Sequence, residues 1–134
     1  MRAFVDTNVL AYRLDPDEPG KHRRAIEWLE GEATLVVSSQ VLIELHSVLT
    51  RRFHQPRSLA SEVLERIDYE TVPTDRTLVL RAARTASEHQ LSIFDALILE
   101  AAVSAECTEL WSEDLRGGSV LRGVRIVNPF DGVA

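Results

Sequence analysis

The first apolar run of the chain, RAFVD at residues 2–6, reads as a buried strand that ends on a carboxylate, Asp6. A short helix is expected from near Asn8. DPDEPG at residues 15–20 is the strongest turn cluster, its acids expected in a solvated loop. KHRRAIEWLEG then carries Ala25, Ile26 and Leu29 at helical spacing and stops at Gly31. TLVVS, residues 34–38, is β-branched and apolar like a buried strand, and SQVLIELHSVLTRRF reads as one helix from a Ser39 cap to the approach to Pro56. A further helix is predicted over roughly Leu59 to Ile67, and YETVP as a short strand. DRTLVLRAARTASEH gives a long helix, and SIFDALILEAAVSAE a helix apolar almost all round and hence central. ELWS and VRIVN are the last strands. Strands alternating with helices imply βαβ crossovers, so the expected class is α/β, in three layers around a central, mainly parallel sheet.

The bulk numbers bound this picture without deciding it. At 134 residues the chain is expected to be a single domain over residues 1–134. With 45% hydrophobic residues, no apolar run of membrane-spanning length and no leader pattern, a soluble, cytoplasmic protein is expected. The single Cys107 reads as a small core residue. A net charge of −6 argues against holding nucleic acid by bulk electrostatics. Two features soften that objection. Lys21 is the only lysine among 15 basic residues, and arginine suits bidentate phosphate contacts; acids in a metal site would also be neutralised on loading.

The informative carboxylates stand where an apolar residue would cost less. Asp6 ends a strand, where it could cap a helix, shape a turn, or serve as a ligand at the carboxyl edge of a parallel sheet. Glu44 shares a helix face with Val41 and Val48, so it needs a partner, with Arg51 or Arg52 the structural option. Asp95 interrupts an apolar helix, although Ser92-x-x-Asp95 also fits a capping box. SEDL follows the strand ELW much as DTN follows RAFV, and pattern alone does not separate Glu113 from Asp114. Oxygen-only ligands point to Mg²⁺ or Mn²⁺ rather than zinc. His22, His46, His54 and His89 show no metal spacing; phosphate-loop and nucleophile-elbow motifs are absent, and Asn8 stands where a phosphoaspartyl transferase would want its second Asp.

FVDTNVLAY, VVSSQVLIELHSVLTR, LSIFDALILEAA and LWSEDLRGG with GVRIVNPF, in this order over nearly the whole length, make the chain resemble the PIN-domain family, specifically the VapC-type toxins of bacterial toxin–antitoxin pairs. The resemblance implies a PIN-like fold and a metal-dependent endoribonuclease in which Asp6, Glu44, Asp95 and Asp114 bind Mg²⁺ (or Mn²⁺) and carry catalysis. It selects Asp114 over Glu113 and gives Thr7, Asn8 and Ser112 supporting places. It also implies a homodimer, held in check by a small antitoxin that occupies the acidic cleft. Arg13, Arg51, Arg52 and Arg116 are candidates for holding RNA, with a solvated surface the plainer reading of each. A processing nuclease of the same fold without antitoxin, or a non-catalytic RNA- or protein-binding module, are the alternatives.

Overall fold

The computed structural model describes residues 1–134 and builds them around a six-stranded sheet. The strands are β1 (Arg2–Val5), β2 (Thr34–Ser38), β3 (Glu70–Val72), β4 (Glu109–Trp111), β5 (Val120–Leu121) and β6 (Val124–Val127), in the order β3-β2-β1-β4-β6-β5. Every pairing is parallel except that of β5 with β6. The helices are α1 (Thr7–Tyr12), α2 (Pro19–Leu29), α3 (Ser39–Ser47), α4 (Arg57–Arg66), α5 (Arg76–His89) and α6 (Ile93–Ser104). This is the expected α/β architecture. α6 lies across β1, β2, β4 and β6 with α5 packed on it, while α1 to α4 form a second group joined to the sheet through α3. No helix is long and apolar enough to cross a membrane.

The central strands are buried on both faces, as a parallel sheet covered on two sides requires: Phe4, Val5, Val36, Val37, Leu110 and Ile126 are fully buried. Residues Ala96–Ala102 of α6 are buried without a break, which is what its all-round apolar pattern means. Cys107 lies in the same core.

Local differences from the sequence reading have identifiable causes. The helix expected to run unbroken from Ser39 is capped by Ser38, whose Oγ accepts the Val41 amide, and gives way after Ser47 to a π-turn over Val48–Arg52. The acids of the 15–20 turn are not all solvated. Asp15 is buried, its carboxylate accepting the Asp17 amide at 3.1 Å. The two-residue strand β5 carries no periodic signal. It is folded back by Arg122 (φ 53°) and Gly123 (φ 78°), both left-handed as a type I′ hairpin turn demands.

That turn carries a buried ion pair. Glu100 of α6 is wholly inaccessible; its carboxylate accepts Arg122 Nε at 3.0 Å and Nη2 at 3.1 Å, and Thr85 Oγ1 of α5 at 2.9 Å. Burial alone would raise the Glu100 pKa, yet the Arg122 and Thr85 hydrogen bonds bring it below its ordinary value. Removing one member of such a pair leaves a buried charge uncompensated. Arg122→Ala is therefore expected to destabilise the fold by about 2–3 kcal/mol, at the lower side of the range because the arginine is partly exposed. Adding Glu100→Leu should recover most of that loss in urea melts, and no recovery would mean the pair is not the cause.

Candidate functional site

Parallel register decides where the acids emerge. Val5 pairs with Trp111 and Phe4 with Val36, so Asp6 and Ser112 leave the sheet side by side, next to the end of β2. The strand order reverses between β1 and β4, the switch point at which α/β folds open a crevice. Ser112 is fully buried, and its hydroxyl donates to Asp6 Oδ2 at 2.8 Å while accepting the amides of Asp114 at 3.2 Å and Leu115 at 3.3 Å. One hydroxyl thus ties the first acid to the turn that carries the last. Asp6 Oδ1 accepts the Thr7 amide at 2.7 Å, so the residue is also the N-cap of α1.

Glu44 has no arginine partner. Thr7 Oγ1 donates to its Oε2 at 2.9 Å and Gln40 Nε2 to its Oε1 at 2.7 Å, whereas Arg51 and Arg52 end the π-turn exposed to solvent. The pairing of Glu44 with either arginine is thereby overturned: a short hydroxyl and an amide within reach satisfy the carboxylate. Gln40, one turn before Glu44, also donates to the carbonyl of Phe94 at 3.3 Å and leaves its own Oε1 buried with no partner. An unsatisfied buried acceptor costs about 1–3 kcal/mol.

At the start of α6 only half of the capping box forms. Ser92 Oγ accepts the Asp95 amide at 3.1 Å, but no bond returns from the Asp95 carboxylate, which makes no hydrogen bond or ion pair at all. In the SEDL turn the two acids separate cleanly. Glu113 turns to Lys21 Nζ at 2.7 Å and Tyr12 OH at 2.9 Å, with the ammonium 4.8 Å from the centre of the Tyr12 ring. Asp114 faces the other way and accepts Asn8 Nδ2 at 3.0 Å. Asp6, Glu44, Asp95 and Asp114 thus surround one sheet edge, with Thr7, Asn8 and Ser112 bonded to three of them. Gln40 and the Tyr12–Lys21–Glu113 cluster were not singled out from sequence; Gln40 had a signal, its position four residues before an out-of-place acid on one helix face.

The electrostatics follow from burial and like charge. Burial pushes the Asp6 carboxyl up to about 6; the Ser112 and Thr7 hydrogen bonds hold it down, and Glu44 and Asp114 add to the rise. Asp114 is raised too, by burial first and then by Glu113, Asp95 and Glu44. None of the ion pairs in the structure involves these four acids. An all-oxygen, anionic, unpaired donor set fits a hard divalent cation. No three acidic, His or Cys side chains form a ready-made metal cluster, so closure on an ion would require side-chain rotation.

The arginines singled out from sequence lie outside this set of contacts. Arg116 is exposed two residues beyond Asp114, and Arg52 covers the Phe53 ring at 5.7 Å. Arg13 stands 3.6 Å from Glu30 and lines, with Leu10, Leu45 and Arg66, a recess of about 310 Å³ that none of the four acids lines.

The PIN domain family model matches residues 3–119, and the chain belongs to that family. No curated protein sequence gives a significant match. Among solved structures the chain is similar to VapC20 of Mycobacterium tuberculosis, described as a sarcin–ricin loop cleaving toxin (TM-score 0.70, 19% identity, 84% of this chain and 91% of that one). It is also similar to a chain of a toxin–antitoxin complex from Klebsiella pneumoniae (TM-score 0.71, 23% identity, 95% and 97%). A third likeness is to FitAcB from Neisseria gonorrhoeae (TM-score 0.68, 18% identity, 96% and 98%). At these identities the likeness establishes the shared fold.

A carboxyl whose folded pKa of about 6 exceeds its unfolded value near 3.8 contributes no penalty well below that lower value, where it is protonated in both states. Its cost grows as pH rises from about 4 to 6 and is constant above. In chelator, Asp6→Asn should therefore raise stability at pH 7–8, by at most about 3 kcal/mol for a shift of roughly two pH units, and by only about 0.5 kcal/mol at pH 4. Urea titrations of both proteins across this range are the check; an equal effect at pH 4 and pH 8 would trace it to packing rather than charge.

Proposed function

We propose that the chain is a Mg²⁺-dependent endoribonuclease, with Mn²⁺ able to substitute, acting as the toxin of a toxin–antitoxin pair. The observation that carries this reading is the gathering of four carboxylates at the β1–β4 switch point with no basic side chain paired to any of them. Like charges assembled without a counterion are a liability to the apo fold and a sign of a functional site. Membership of the PIN family and the likeness to VapC-type and toxin–antitoxin structures support it.

Asp6, Glu44, Asp95 and Asp114 would hold the ion. When bound, it supplies Lewis-acid activation of water and charge neutralisation at the scissile phosphodiester. The chain's own groups provide the geometry. Ser112 and the Thr7 amide fix both Asp6 oxygens, Thr7 Oγ1 orients Glu44, and Asn8 orients Asp114. Asp95, free of hydrogen bonds, is the acid able to turn toward the ion without breaking a contact. Hydrolysis adds a water oxygen to phosphorus, breaks the bond to the leaving ribose oxygen, and returns a proton to that oxygen. Exposed Arg51, Arg52 and Arg116, with Arg13, would offset the net charge of −6 along an RNA backbone. A homodimer and a small antitoxin inserting a basic side chain among the acids complete the proposal. The neighbours solved as toxin–antitoxin complexes support such a partner.

Purified protein should cleave a structured RNA with Mg²⁺ or Mn²⁺ and stop in EDTA; cleavage undiminished in excess chelator would overturn the metal reading. Asp95→Asn tests the weakest acid. It should abolish cleavage while leaving apo stability unchanged to within about 0.5 kcal/mol or raised, because it keeps the backbone cap and removes a repelled charge. An active Asp95→Asn enzyme with an unaltered melting response to Mg²⁺ would remove Asp95 from the site. Expression alone in a bacterial host should arrest growth and Asp6→Ala should relieve it. Harmless wild type at matched levels would favour a processing nuclease without antitoxin.

A further inference from the structure

Gln40 touches two of the acid-bearing elements and has no part in the roles above. Its side chain is nine-tenths buried, and Nε2 donates to Glu44 Oε1 at 2.7 Å within α3 and to the Phe94 carbonyl at 3.3 Å on α6, one residue before Asp95. This is the one hydrogen bond joining α3 to α6. The amide has only one workable orientation. Reversed, its oxygen would meet the Glu44 carboxylate and the Phe94 carbonyl, so acceptor would face acceptor. The orientation that satisfies both neighbours leaves Oε1 buried without a donor. A side chain serving only to fill space would be apolar there. Methionine has the same length and no oxygen to leave unpaired. The group whose presence the geometry explains is the N–H pair, and its two hydrogens go to the two elements that carry Glu44 and Asp95. Asp95 has no side-chain bond of its own, so its place depends on the first turn of α6, which Gln40 holds together with the Ser92 cap.

We propose that Gln40 is a positioning residue that fixes the first turn of α6 against Glu44, and so sets how Glu44 and Asp95 face a common cation; the second half rests on the metal-nuclease reading. The test is Gln40→Met, followed by apo melting, amide hydrogen exchange, and Mn²⁺ titration by electron paramagnetic resonance. Apo melting should change little, since one unpaired oxygen has gone while the Glu44 carboxylate and the Phe94 carbonyl lose a donor. Exchange should quicken at Asp95, Ala96 and Leu97 and stay at wild-type rates in β1 and β4. Mn²⁺ affinity should fall roughly 10–100-fold, the usual consequence of losing a partner that orients a metal ligand. Wild-type exchange in the first turn of α6 together with wild-type Mn²⁺ affinity would overturn the proposal. Should wild-type protein bind no Mn²⁺, the metal reading fails on its own, and the exchange rates alone decide whether Gln40 positions α6: faster supports it, unchanged overturns it. If Gln40→Met does not fold, Gln40→Asn, which keeps an amide too short to span both partners, goes through the same measurements.

Discussion

The pairing of β1 with β4 is the constraint on which the rest of the molecule depends. Chain order takes β1 to β2 and β3 on one side, and only after two more helices does β4 close on the other flank of β1. The register Val5 to Trp111 then brings Asp6 level with Ser112, and a single hydroxyl bonds the carboxylate and two amides of the next turn. A slip of one residue in this three-residue strand would exchange the faces on which Leu110 and Trp111 pack and point Ser112 away from Asp6. The inward packing of Leu110 and the position of the acids are therefore the same geometric fact. The fold protects its site by protecting its core.

Two buried carboxylates show the same physics put to opposite ends. Glu100 lies wholly inside the protein and is matched by a bidentate guanidinium and a hydroxyl, so its charge strengthens the joint between α5, α6 and the β5–β6 turn. Asp6 is almost as deeply buried, receives only neutral donors, and sits among other acids. The first arrangement resolves its own desolvation cost, while the second leaves that cost standing for something outside the chain to relieve. The contrast separates a structural acid from a candidate functional one more sharply than burial does.

Much of this was legible in the sequence because periodicity and misplaced charge are local signals. Strand and helix periods located nearly every element, and Asp6, Glu44, Asp95 and Asp114 stood out because each interrupted an apolar pattern or ended a strand. What escaped were features fixed by distant contacts. Gln40 reads as an ordinary polar residue in a first helical turn, and its burial is decided by a carbonyl 54 residues away. The arginine that neutralises Glu100 is 22 residues off, in the turn that follows a two-residue strand too short to show a period. The π-turn after Ser47 leaves no mark in a pattern that continues apolar through Val48 and Leu49. Glu113 and Asp114 were inseparable by alternation; Lys21 and Tyr12, about a hundred residues earlier, separate them.

Lys21, which fastens Glu113 and with it the turn bearing Asp114, is the only lysine in the chain. It is thus the only side-chain primary amine in the sequence. Reagents that seek amines, whether fluorophores, crosslinkers or the coupling chemistry of a sensor surface, will meet at this side chain the one charged tether of the Asp114 turn. A preparation tagged or immobilised through amines would therefore be a mixture in which some molecules have lost that tether. Arginine- or tag-directed attachment leaves it whole.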